Sequence, residues 1–109
     1  MKMLDDRLCP QVEAAFALVA KKWAGLIVFL LYQSEKRFSE IKAAIPQLSA
    51  RVLSQRMRDL EKAGLVLRQV KETTPVGVSY KLTEKGEGLA LMMDGIACWA
   101  RKYNTPSEK

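Results

Sequence analysis

A chain of 109 residues can bury one modest hydrophobic core and is too short for two. Its hydrophobic fraction, 49%, is that of an ordinary globular domain, and Lys plus Arg outnumber Asp plus Glu by 18 to 12, a net charge of +6 that suits a polyanionic partner without naming one. Histidine is absent, which removes the commonest general base and the commonest zinc ligand together, so no enzyme activity, cofactor or metal is expected.

The two cysteines, Cys9 and Cys98, form no CxxC pair, and no signal-peptide core opens the chain, which fits a reduced, cytoplasmic protein. The apolar runs at 23–32 and 96–100 fall well short of the ~20 residues a bilayer crossing needs. No membrane span is expected.

In chain order, residues 1–8, with the acidic pair Asp5 and Asp6, read as a loosely held polar arm. Cys9 and Pro10 open a helix, because proline suits the first helical position, and Val12, Phe16 and Val19 recur at helical spacing before Lys21 and Lys22 interrupt. Residues 23–33 are apolar nearly all round, the pattern of a helix at the buried centre of a fold. Residues 34–37 read as a charged turn. Phe38, Ile41 and Ile45 then share one face of a short helix that Pro46 ends, and residues 46–48 make a tight connection onward.

Residues 49–64 carry the clearest two-faced pattern. At about 100° per residue, Leu53, Met57 and Leu60 share one face while Arg51, Ser54, Gln55, Arg58 and Lys62 fall on the other. Ser49 is suited to cap the start of this helix and is a further candidate DNA contact, and Gly64 is suited to stop its end. Arg58 and Gln55 are suited to bidentate contacts with guanine and adenine edges, and Arg51, Ser54 and Lys62 to bases or phosphates; a merely solvated face is the alternative. Arg56 projects to the flank, towards a salt bridge with Asp59 or Glu61. Ser39 and Lys42 on the preceding helix are natural phosphate contacts.

After this helix, residues 65–69 and 78–82 are β-prone and flank a turn-like stretch at 72–77, which reads as a hairpin. Two short helices followed by a hairpin have the order of a winged helix-turn-helix, an α+β but mostly α fold. Lys71, Thr73 and Thr74 are the expected backbone contacts of the wing, and Gly77 adds no charge to it. Thr83 caps a last helix on which Leu89, Met93, Ile96, Ala100 and Tyr103 form one apolar face and Leu91, Met92, Cys98 and Trp99 a second. So much apolar surface favours a subunit interface over a helix wedged within its own chain. Residues 104–109 read as a frayed tail.

Cys9 stands where a helix begins, and the free N–H groups and positive dipole end there favour a thiolate; a small cap residue without chemistry is the alternative. Cys98, in the apolar part of the last helix, reads as packing, although a dimer would bring it towards the first helix of the other subunit.

The chain resembles the HxlR family of bacterial winged-helix transcriptional regulators, relatives of the MarR group. The likeness runs through CP at 9–10, KKW at 21–23, KRFSEI at 36–41, S..VLSQRMRDLE..GLV at 49–66, TPV at the wing and YKLTEKG at 80–86. FALVAKKWAGLIV and ETTPV are similar to the branch that senses quinones, diamide or hypochlorite through a cysteine at the first helix. The resemblance implies a winged-helix domain over residues 9–103, with a recognition helix at about 49–63, a wing at about 65–82 and a dimerisation helix at about 83–103. It further implies a homodimer built on the first and last helices, here through Val12, Phe16, Leu89, Met92, Met93, Ile96, Trp99 and Tyr103, bound to double-stranded DNA at a pseudo-palindromic operator. Cys9 matches the sensing cysteine, and its only disulfide partners would be Cys98 or a second Cys9. Many members carry a basic residue where Gly77 stands.

Three readings follow: a dimeric repressor modulated by oxidation or alkylation of Cys9, a DNA-binding regulator without redox input, and a winged-helix module that binds protein.

Overall fold

The computed structural model describes residues 9–72 and 77–104. The expected wing contacts Thr73 and Thr74, the arm at 1–8 and the tail beyond Asn104 lie outside the described residues.

Helix α1 (Pro10–Ala20) is followed by α2 (Ala24–Gln33), the short strand β1 (Lys36–Arg37), α3 (Phe38–Ala44), α4 (Ala50–Lys62), the strands β2 (Val66–Lys71) and β3 (Gly77–Leu82), and the long α5 (Glu84–Tyr103). The core gathers Ile27, Val28 and Leu31 of α2, Ile41 of α3, Leu53, Met57 and Leu60 of α4, Ala90 of α5, and Leu65, Val66, Tyr80 and Leu82 around the sheet. Leu48, in the connection after Pro46, is buried too and pins the turn between α3 and α4.

Helix α4 forms as its pattern dictates. The Ser49 hydroxyl accepts the Val52 N–H at 3.1 Å, satisfying one of the donors a helix start leaves open. At the other end Gly64 takes φ 78°, the left-handed geometry that glycine adopts without steric cost.

Three local expectations are corrected. Residues 34–37 are not only a turn, because Lys36 and Arg37 pair with Tyr80 and Ser79 and make β1 the edge of a three-stranded antiparallel sheet ordered β1-β3-β2. Two residues are too few for an alternation to show in sequence. Helix α2 begins at Ala24, after Trp23 turns the chain at φ 77°, and it is buried on one side only, with Leu26 and Tyr32 exposed. On α5 the inward stripe is Gly86, Ala90 and Met93; Ile96 and Tyr103 face outward, so the single stripe expected through Leu89, Met93 and Tyr103 is split between the two sides. The small residues Gly86 and Ala90 set the inward face, since they let α5 approach closely.

Among the described residues no single helix is long and apolar enough to cross a membrane.

Candidate nucleic-acid interface

The outer face of α4 presents Arg51, Gln55, Arg58 and Lys62 as exposed side chains, with Ser54 half-buried beside them. The buried Leu53, Met57 and Leu60 fix the rotation of the helix, so these polar groups have one direction in which to point. Gln55 is held by its neighbours: its carbonyl oxygen accepts from Arg58 Nη2 at 3.0 Å and its amide nitrogen donates to Asp59 Oδ1 at 3.0 Å. A guanidinium and a primary amide therefore stand side by side, already oriented. Such a pair can offer donors to guanine and both donor and acceptor to adenine.

Asp59 is the hub behind this face. It pairs with Arg56 Nη1 at 3.1 Å and with Lys21 Nζ at 3.4 Å, while Arg56 Nε donates to the Lys22 carbonyl at 3.0 Å. The hydrogen bond from Gln55 foremost, and then Lys21, outweigh partial burial and hold the Asp59 carboxyl below the usual carboxylate range. Arg56 thus serves the flank, as its helical position predicted, whereas its link to the corner between α1 and α2 had no signal in sequence.

At the far end of α4, Lys85 Nζ and Thr83 Oγ1 donate to the carbonyls of Ala63 and Gly64, each at 2.6 Å, and the Thr83 N–H donates to Leu65 at 3.0 Å. These bonds take up carbonyls that a helix end leaves unpaired and fasten α5 to α4. The Thr83 hydroxyl also accepts from the Gly86 N–H at 3.1 Å, so one residue caps α5 and ties it down.

The other expected DNA contacts are mixed in their freedom. Ser39 is exposed and Ser49 is engaged as a cap; Lys42 is half-buried, with its ammonium 3.5 Å from the Pro46 carbonyl. Lys71 is paired with Glu35 at 2.8 Å, and Glu35 also accepts from the Ser79 hydroxyl. Lys71 first and Ser79 second hold the Glu35 carboxyl below its ordinary range. Arg37, which sequence reasoning placed in a plain turn, lies against Gly77 at the start of β3.

Cys9 is the exposed N-cap residue of α1, and its thiol donates to Gln11 Oε1 at 2.6 Å. Helix α1 has no buried residue, and Phe16 is 67% exposed. On α5, Met92 is 68%, Ile96 60% and Trp99 57% exposed, whereas Met93 is turned into the protomer. Cys98, expected as packing, is exposed within the protomer, with Arg101 Nη2 3.8 Å from its sulfur.

A helix-turn-helix whose second helix shows a polar outer face, followed by a β-hairpin wing that β1 widens to three strands and by a long terminal helix, defines a winged helix-turn-helix transcriptional regulator. The chain belongs to the family described as the HxlR-like helix-turn-helix, whose pattern matches residues 18–108. It is 46% identical over 105 residues to the HTH-type transcriptional regulator YvaP of Bacillus subtilis (strain 168), covering 96% of this chain and 97% of that one. To YodB of the same organism, also an HTH-type transcriptional regulator, it is 40% identical over 105 residues, or 96% and 94% of the two chains. The reduced form of YodB matches the structure with a TM-score of 0.80 at 42% identity, over 92% of this chain and 98% of that one. Its quinone-bound form matches at 0.76 and 40%, over 88% and 100%. The redox regulator HypR in its oxidised form matches at 0.80 and 32%, over 86% and 96%. These relatives are regulators of transcription and not enzymes.

Proposed function

We propose that the protein is a homodimeric repressor which places one α4 in each half-site of a pseudo-palindromic operator, and that oxidation or alkylation of Cys9 modulates this binding. Arg51, Ser54, Gln55 and Arg58 face the groove; Ser39, Lys42, Lys62, Lys71, Thr73 and Thr74 serve the backbone. The observation that carries the redox half is the placement of Cys9: its thiol is exposed at the start of a helix that packs on its own protomer mainly through Leu18, near its far end, and that end is bonded to α4 through Lys21 and Lys22. A change at Cys9 that shifts how α1 packs on a second subunit would move the two recognition helices apart or together. Half-sites spaced by one turn of DNA tolerate little of that. Support also comes from YodB, known in quinone-bound and diamide-treated forms, and from HypR, known both reduced and oxidised.

The chemistry balances simply. A Cys9 thiolate adds to a ring carbon of a quinone, forming an S–C bond, and the ring takes up a proton to become a hydroquinone. With diamide, two thiols become one disulfide while the N=N bond takes up two electrons and two protons. The test is operator affinity before and after a quinone or diamide pulse, for the parent and for Cys9→Ser. The parent is expected to lose affinity and the variant to keep it. Equal responses would leave a DNA-binding regulator without this switch, and a partnership indifferent to salt would point instead to a protein-binding module.

A further inference from the structure

We infer that Arg37, on the edge strand β1, is a DNA-phosphate contact of the wing, lodged in the space that a side chain at position 77 would fill. This rests on the DNA-binding reading above and adds a residue to it. A Cβ built on Gly77 would lie 3.1 Å from Arg37 Cζ and 3.2 and 3.3 Å from its two terminal nitrogens. Three nearly equal distances set the face of the guanidinium against the Cα of Gly77 and leave its N–H fork without a protein partner among the described residues. That fork is the geometry that grips a phosphate with two parallel hydrogen bonds.

The neighbouring cations are otherwise engaged. Lys71 is paired with Glu35, and Lys36 donates to the Ser34 hydroxyl at 2.9 Å. Of the two carboxylates that line the same cleft, Glu35 is taken by Lys71 and Ser79, and Glu40 accepts the Arg37 backbone N–H at 2.7 Å. The Arg37 side chain, exposed, has no salt bridge or hydrogen bond among the described residues. Its backbone is held, because β1 pairs with β3 through Arg37 and Ser79. The result is a cation without an ion pair among the described residues, near the loop end of the wing, where a neighbouring stretch of DNA backbone would pass when α4 sits in the groove.

A duplex selected from a random pool by the parent protein supplies the probe, titrated by fluorescence anisotropy between roughly 50 and 200 mM salt. Arg37→Gln is expected to weaken binding roughly tenfold near 0.1 M salt, by a similar factor on specific and scrambled duplexes, and to lower the salt slope by about one. The double variant Arg37→Gln/Gly77→Arg, which returns a cation to the same place from the other strand, is expected to recover the slope. Arg37→Lys, which keeps the charge without the fork, should keep the slope. Parental affinity and slope in Arg37→Gln would overturn the inference, as would a loss that neither cation restores. A parent that retained no duplex at all would instead overturn the DNA-binding reading on which it stands.

Discussion

Asp59 joins parts of the chain that are far apart in sequence: Gln55 and Arg56 from its own helix, and Lys21 from the corner before α2. Each contact lies near the surface, where a single ion pair is worth little, but together they hold the flank of α4 and the amide of Gln55 in one arrangement. The Asp59 and Glu35 carboxyls are both held below their ordinary range. For a group depressed in the folded state, the stabilisation is fully present above its unfolded pKa and disappears as pH falls through the folded value. Equilibrium unfolding is therefore expected to show a stability that is level at neutral pH with respect to these groups and declines below about pH 4. Asp59→Asn should make that acid limb shallower than the parent's. An unchanged limb would show that the Asp59 contacts contribute nothing to folding. The i to i+3 pairing of Arg56 with Asp59 was readable from spacing, whereas Lys21 reaches Asp59 only because the chain folds back at Trp23.

At the scale of elements, α4 is fastened along its second half and just past its C-terminal end. The α1–α2 corner holds its flank through Lys21 and the Lys22 carbonyl, and Thr83 and Lys85 clamp α5 across its C-terminus. In the proposed dimer, these bonds would carry a rearrangement of α5 between subunits on to α4. The close approach that makes the clamp possible depends on Gly86, since a Cβ there would lie 2.1 Å from the Leu65 carbonyl oxygen. Backbone on both sides leaves no flexible group to yield. Gly86→Ala is expected to destabilise the fold by roughly 1–3 kcal/mol in denaturant titrations; a change within error would mean that α5 docks more loosely than its hydrogen bonds imply. Helix boundaries were legible where a cap or a breaker marks them: Ser49, Gly64, Thr83 and Pro46 stand within two residues of a helix end, whereas α2, apolar nearly all round and uncapped, was legible from its apolar run alone. The edge strand was not, because a two-residue ladder is made by its partner β3 rather than by its own pattern. Lys71 was chosen for its charge alone, and the carboxylate that pairs with it comes from a segment thirty-odd residues earlier.

The molecule as a whole is less compact than its length implies, with a Cα radius of gyration of 15.8 Å against the roughly 13 Å of a closely packed chain of this size. Helix α1 and the outer side of α5 leave large apolar side chains uncovered. A second apolar stripe on α5 was visible in sequence, but which side faced inward was not, because small residues rather than large ones mark the buried side. Charge, by contrast, was legible only as a total. The net +6 gains meaning from where the structure puts its parts: Arg51, Arg58 and Lys62 on one helix face, and Arg37 near the loop end of the wing. The central claim is that this outer face of α4 reads DNA. Its most direct test is the affinity of the parent and of Arg58→Ala for the selected duplex, measured across salt and against duplexes changed at one base pair at a time. The parent should bind more weakly in steep proportion to salt, and Arg58→Ala should lose about 1–3 kcal/mol of discrimination at one base pair in each half-site while still binding. Equal discrimination by the two proteins, or binding by the parent that ignores salt, would contradict the account.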